Sequence, residues 1–481
     1  MRLGQTSAIQ FASKVITSLG GFLATLYFAR VVGSETLGVY FLFLSSAGWA
    51  NLFVEAGVGQ AITKRMSEGN NPGKYFQTGF LLVTGGVIVI SLLLLTLSEL
   101  VTDYLGHQLS TYLLISLVGS GAAMSVVRSG LAGSHNVHIT GILNFLEMIL
   151  RIVLQVAAIS VGLGVFGLVF GWVTAALIVS LVGFFYLVVL LEGLPNRKFS
   201  DISQKISSLY SFGKYSWLGS LKAKTNNHAD ILILGLFVPN HLIGVYAVSW
   251  KIASFLTILG AAIEETLFPE FSELESANNH EEIAQLLSKS IQYTGMFVIP
   301  GLFGGALLGE RILKLYGPDF TVGITVLIPL IIAVLIYDYQ KQLTSVLQGL
   351  NRPDLDFRVN GVFIGSNIVL NFILIQLLGW VGAAVATALS SFFSMVYAYY
   401  VVSDLLPVDV PYAEIAKQVG ASGVMSVVVL SLKTVENSYG ILNNNVLTVV
   451  CLVTVGVLTY VIILVGISRG TRETVLRNLG V

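Results

Sequence analysis

A single cysteine, Cys451, stands among 481 residues. One thiol cannot close a disulfide within the chain or assemble a cysteine-based metal site. The apolar neighbours of Cys451 predict a buried packing role for it. Charge is also scarce: Asp, Glu, Lys and Arg make up 11% of the chain, against about 25% in a soluble domain. Nucleotide and hydrolase motifs are missing too. There is no Gly-x-x-x-x-Gly-Lys-Ser/Thr loop, which argues against direct coupling to ATP, and no His-Glu-x-x-His, Cys-x-x-Cys or Gly-x-Ser-x-Gly. The polar stretch at 270–282 carries scattered acids with no Asp-x-Asp. No catalysis, cofactor, metal centre or nucleic-acid partner is expected.

What the chain has instead is apolar length. Hydrophobic residues are 55% of the sequence, and runs of about 20, each enough to cross a bilayer, recur along nearly all of it. The pattern predicts an all-α polytopic membrane protein with about fourteen transmembrane helices. They fall near 9–31, 38–63, 76–98, 110–133, 139–163, 166–191, 207–237, 240–269, 284–309, 322–349, 356–378, 380–403, 412–432 and 445–467. No loop is long enough to house a domain. The opening stretch "MRLGQTSAIQFASK" lacks the short apolar core and small-residue cleavage site of a removable signal. The first helix is therefore expected to act as an uncleaved insertion signal.

Basic residues orient the spans. With a cytoplasmic N-terminus, the inner segments hold Lys64, Arg65, Lys74, Arg197, Lys198, Lys205, Arg352 and Arg358, and the tail adds Arg469, Arg472 and Arg477. The outer loops hold little beyond Arg311, Lys314 and Lys433. Both termini are expected to face the cytoplasm.

The stretch "FARVVGSETLGVYFLF" starts at Phe28, and "GLFVPNHLIGVYAVSW" returns the same Gly-Val-Tyr at Gly244, about 206 positions after Gly38. A second echo pairs "LGVFGLVFG" from Leu163 with "LGWVGAAVA" from Leu378. Two ordered echoes at this spacing read as a duplication of six helices rather than a short solenoid repeat. The expected organisation is an N-terminal six-helix lobe at 1–198, a second at 199–406, and two additional helices with a basic tail at 407–481. An even helix number per lobe implies a pseudo-twofold along the membrane normal.

Those residues also carry a likeness. Together with "LFPEFSELESANNHEEIAQLLSKSI", "LYGPDF", "LQGLNRPDLDFRVNGVFIGSNIVLNFILI" and "LLGWVGAAVATALS", the sequence resembles the Wzx-type polysaccharide-biosynthesis flippases. These belong to the multidrug/oligosaccharidyl-lipid/polysaccharide exporter superfamily, and the likeness covers nearly the whole chain. It implies two MATE-like bundles around a cationic central cavity. It also implies translocation, by alternating access, of a polyprenyl-(pyro)phosphate-linked oligosaccharide across the cytoplasmic membrane, for cell-surface polysaccharide or glycoprotein glycan assembly. Membrane lipid and the lipid-linked sugar are the implied partners, with functional association with glycosyltransferases or a polymerase. The rival readings are a cation-coupled drug antiporter of the same superfamily, a peptidoglycan-precursor flippase and, more distantly, a membrane-embedded polymerase.

Ionisable groups inside spanning helices point to a pathway, because they are costly unless they face water or a partner. The seventh span, "KYSWLGSLKAKTNNHADILIL", carries Lys214, Lys222, Lys224, His228 and Asp230. At about 100° per residue, its lysines and His228 share half the circumference, a face suited to water rather than lipid. Lysine is a compact charge for a phosphate head group, so Lys222 and Lys224 are the leading candidates; Lys214 either lines the cavity or snorkels. Lys251 either lines the cavity or pairs with Asp230. Lys14 and Arg30 lie near the two ends of the first helix, and Arg30 either touches substrate or anchors at the interface. Glu55 either pairs with Lys14 or holds a coupling cation. Glu147 and Arg151 are i,i+4 neighbours expected to neutralise each other, with Arg151 also a cavity candidate. Asp338 and Lys341 have pair spacing as well, and Arg128 is read as snorkelling.

Overall fold

The computed structural model describes residues 3–69, 71–191, 205–211, 213, 217, 221, 224–439, 444–468, 470 and 472, with the side chains of 3–15, 226, 227, 259, 265 and 439 left out. Lys214 and Lys222 lie outside the described residues, and only the backbone of Lys14 is described. Every described element is helical. Among the described residues, eleven helices are long and apolar enough to cross a membrane. A twelfth span forms if Asn240–Phe255 and Gly260–Ser276, bent by 48° at a short break, are taken as one. The count differs from the expected fourteen or so at two places. The first two spans count as one helical stretch, although non-helical backbone at Gly33 divides it into two helices. The segment 207–237 is only partly described.

The chain divides into two compact units, 1–244 and 245–481. The first unit opens with α1 (Leu3–Glu55), whose 53 residues correspond to about 80 Å at 1.5 Å per residue. That exceeds one bilayer crossing, and the helix is interrupted at Gly33, where φ is 77° and ψ 176°. Only glycine adopts that conformation readily. Ala56 and Gly57, both left-handed, end α1 before α2 (Val58–Ser67). Then follow α3 (Pro72–Thr96), α4 (Ser98–Leu105), α5 (Ser110–Gly133), α6 (Val137–Ser160) and α7 (Gly164–Leu190). Helices α5, α6 and α7 pack on one another and on α1. Close approach rests on small residues, as is usual between membrane helices. A Cβ on Gly130 would meet Phe76 and Leu187, and one on Gly183 would meet Val127 and Leu143.

The seventh segment also packs within this unit. Trp217 donates its indole N–H to Leu52 O at 3.0 Å, and Tyr104 of α4 donates its hydroxyl to Leu232 O at 2.7 Å. Here the backbone forms a π turn at Thr225–Ala229 before α8 (Asp230–Leu234). The duplicated Gly-Val-Tyr stretches meet as well: Gly38 approaches the chain at Asn240, and Gly244 approaches it at Ser34. The division by packing thus falls at 244/245, whereas the lobe boundary expected from the repeat lies at 198/199.

The second unit contains α9 (Asn240–Phe255, from its sixth residue), α10 (Ile258–Ser276), α11 (His280–Lys314), α12 (Ile324–Gly349), α13 (Pro353–Leu378), α14 (Val381–Ser403), α15 (Tyr412–Tyr439) and α16 (Asn445–Ile467). One core gathers Phe271, Leu287, Val346, Leu347 and Val402. Another, with Leu308, Met425, Val429 and Leu464, fastens α15 and α16 to α11. Glycines repeat their job in the second echo. Gly164 and Gly379 are both left-handed; Gly167 closes onto Ala158, and Gly382 onto the Leu374 carbonyl.

Large apolar side chains such as Val89, Phe185, Leu377 and Ile462 stand exposed, which is the arrangement a lipid solvent allows. Cys451 belongs to that outer surface, which corrects the expectation that it is buried.

Candidate functional site

In the first unit four polar residues of α6 fall on one stripe. Thr140, Asn144, Glu147 and Arg151 are spaced i, i+4, i+7 and i+11, which places them on the same helix face. With Thr17 and Ser18 of α1, Arg128 of α5 and Trp172 of α7, they line a cavity of about 610 Å³. Glu147 Oε1 lies 3.4 Å from the Arg151 guanidinium, and both side chains are largely buried, at 10% and 15% exposure. The guanidinium also sits 4.2 Å from the centre of the Trp172 ring, a cation–π distance. One turn further, Gln155 donates to Tyr40 Oη at 3.0 Å and to Leu168 O at 2.7 Å. The tyrosine of the first Gly-Val-Tyr thereby anchors the deep end of the stripe.

A second cluster adjoins this cavity through Arg128. Glu55, at the end of α1, accepts a hydrogen bond from Ser125 and lies in the fields of Lys224 and Arg128. Gly59 leaves space there for the Glu55 carboxylate and the hydroxyls of Ser125 and Ser129. Lys224 stands at the start of the π turn, with its ammonium close to Gly48. His228 Nδ1 is 3.3 Å from Ser45 Oγ. π turns inside helices occur often at functional positions. Arg128 also interacts electrostatically with Glu147, Arg151 and Glu55. Among these described groups, Arg128, Arg151 and Lys224 face Glu55 and Glu147, which leaves an excess of one positive charge in a largely desolvated interior.

The structure therefore brings together five of the residues singled out from sequence: Lys224, His228, Glu55, Glu147 and Arg151. Asp230 is buried at the start of α8. Arg30 is exposed on α1, three residues before the Gly33 interruption, and Lys251 is half-buried on α9. Arg128 corrects the reading from sequence, since it reaches into the cavity rather than snorkelling to the membrane surface. Thr140, Asn144 and Trp172 were not singled out, although the period of α6 carries the signal for the first two. In the second unit Lys341 forms its ion pair with Glu264. The buried Asp338 rests against Gly260.

Residues 27–322 match the family described as "Polysaccharide biosynthesis protein". The chain is 31% identical over 481 residues to "Probable flippase AglR" of Haloferax volcanii, covering 98% of each. It is 28% identical to "Probable low-salt glycan biosynthesis flippase Agl15" of the same organism, covering 100% of this chain and 99% of the relative. Both relatives are named as flippases rather than as enzymes. Among solved structures, "Lipid II flippase MurJ, inward closed conformation" superposes with a TM-score of 0.79 over 98% of this chain and 99% of that one, at 15% identity. That likeness establishes a shared fold. With the family match spanning most of its length, the chain belongs to the polysaccharide biosynthesis protein family.

Proposed function

We propose that this protein is a flippase for a polyprenyl-(pyro)phosphate-linked oligosaccharide. It carries the head group and sugars across the cytoplasmic membrane through a cationic cavity that opens alternately to the two faces. The observation that carries this reading is the cavity of about 610 Å³ among apolar spanning helices, with Arg128 and Arg151 in its wall. A desolvated site with excess positive charge attracts an anionic head group more strongly than bulk water would. Both Haloferax relatives are named as flippases, and the name of one, a low-salt glycan biosynthesis flippase, supports a glycan cargo.

Lys222, Lys224, Lys251, Arg30 and Arg151 attract the head group in this account, with Lys214, Lys14 and His228 lining its path. Asp230, Glu55 and Glu147 balance charge or hold a coupling ion. Both termini face the cytoplasm, the halves 1–198 and 199–406 carry the cycle, and the helices of 407–481 flank them. Glycosyltransferases supply the cargo.

The test is transport of fluorescent polyprenyl-linked sugars in vesicles, comparing the wild type with Lys222→Ala plus Lys224→Ala. Slower flipping by the double variant supports the head-group role, and an unchanged rate removes it.

A further inference from the structure

The cavity of the first unit holds more chemistry than attraction of an anion requires. A phosphate accepts hydrogen bonds and offers none at full ionisation, so acceptor groups in the wall find no partner on it. Here Arg151 is already engaged by Glu147 and stacked against Trp172. The wall also mixes acceptors with donors: the Glu147 carboxylate, the Asn144 amide and the Thr140 hydroxyl face the same space as Arg128 and Arg151. Such a set matches hydroxyl groups, each of which donates and accepts.

Three atoms of this wall have no partner. Arg128 Nε, Thr140 Oγ1 and Asn144 Oδ1 are shielded from solvent and make no hydrogen bond. Buried polar atoms are nearly always paired, and leaving them unmade is costly. Modest side-chain rotation on arrival of a hydroxylated ligand gives all three a partner. The indole of Trp172 adds an amphipathic ring to the same lining, which suits the apolar C–H face of a sugar. The volume lies within the range of about 300–1,000 Å³ usual for ligand pockets.

We infer that this cavity is a saccharide subsite, in which Thr140, Asn144 and Arg128 hydrogen-bond sugar hydroxyls while Trp172 packs against a pyranose ring. The inference rests on the flippase reading above and adds which part of the cargo occupies this space. The residues nearer Lys224 are left to the phosphate. Glu147 then has two functions, holding Arg151 in place and accepting from a hydroxyl. Thr140 and Asn144 are specificity-determining residues, because they touch the portion of the cargo that differs between glycans.

The test uses the full chain in lipid nanodiscs and soluble probes. Binding is measured for inorganic phosphate and for a panel of 1-phosphates of glucose, galactose, mannose, glucuronic acid and N-acetylglucosamine. The expectation is that at least one sugar phosphate binds about 10-fold more tightly than phosphate, a difference of about 1.4 kcal/mol. Thr140→Val plus Asn144→Leu erases that preference and leaves phosphate affinity within about twofold, well inside one tenfold step. Trp172→Leu reduces the preference, and Thr140→Ser, which keeps the hydroxyl, retains it. Equal binding of phosphate and every sugar phosphate by the wild type overturns the inference, as does a preference that survives both Thr140→Val/Asn144→Leu and Trp172→Leu. Failure of the flippase reading is a separate result: the wild type then leaves polyprenyl-linked sugars unflipped in vesicles whatever the sugar phosphates do.

Discussion

Gly38 and Gly244 are reciprocal neighbours. A Cβ on Gly38 would lie 1.8 Å from the carbonyl oxygen of Asn240, and a Cβ on Gly244 would lie 2.0 Å from that of Ser34. Asn240 and Ser34 each stand four residues before the opposing glycine, so the two Gly-Val-Tyr stretches cross in the same way from either side. The duplication seen in the sequence is therefore also a contact, made of backbone against backbone with no room for a side chain.

Replacement of either glycine by alanine forces those backbones apart. Overpacking of this kind costs about 1–3 kcal/mol, occasionally more. Gly38→Ala and Gly244→Ala are each expected to lower the thermal midpoint of the purified protein. The double variant is expected to cost less than the sum of the two, because one displacement relieves both clashes. A differential scanning measurement on the three variants checks this.

Gly33 gives a contrasting case. Nothing lies within 4 Å of a Cβ placed there, yet φ of 77° with ψ of 176° is a glycine region costing about 1–3 kcal/mol for other residues. Gly33→Ala is expected to destabilise by that amount through strain alone, and Gly33→Ser is expected to do the same despite its hydroxyl. Agreement between the two in a thermal-shift assay separates strain from crowding.

Glu147 pairs with Arg151 and interacts electrostatically with Arg128. Removing it leaves Arg128 and Arg151 facing each other in a desolvated space, whereas removing Arg151 leaves Glu147 with Arg128 still near. Glu147→Ala is therefore expected to be the more damaging single change. A double-mutant cycle with Arg151→Ala is expected to return a coupling of about 0.5–3 kcal/mol. Stability of the four proteins by chemical denaturation in detergent tests the order.

On the second unit, Arg311 of α11 reaches Glu436 of α15 at 2.5 Å and also contacts Asn437. Its carbonyl accepts from Asn445 at 3.1 Å, which ties in α16. Arg311→Ala removes a charge-assisted contact of about 1.5–3 kcal/mol and is expected to speed proteolysis of the last two helices. Cleavage confined to 412–467 is the expected pattern; wild-type protease resistance of that region contradicts it.

The spans were legible because apolar windows of bilayer length are the strongest signal a membrane chain carries. The repeated Gly-Val-Tyr was legible because glycine has a backbone duty, and the glycines of its two copies lie against each other. Cys451 was misread for a physical reason: in a membrane protein the interior and the lipid-facing surface are both apolar, so hydrophobic neighbours do not tell one from the other. Arg128 was misread because a charge towards a helix end looks the same from sequence whether it bends to the headgroups or meets a carboxylate on the next helix. Lys224 and Glu55 drew notice as charges in an apolar context, but only packing placed them together. The seventh segment's membership of the first unit rests on the hydrogen bonds of Trp217 and Tyr104, which no periodicity encodes.

The most direct test of a cargo path through the first unit is the flipping rate of a fluorescent polyprenyl-linked sugar in vesicles containing Arg128→Gln plus Arg151→Gln. The glutamines keep hydrogen-bonding capacity and remove the positive charge. Two buried charge-assisted contacts to the cargo predict a rate at least about 100-fold below that of the wild type, compared at equal amounts of folded, reconstituted protein. Flipping at the wild-type rate by the folded double variant contradicts the account.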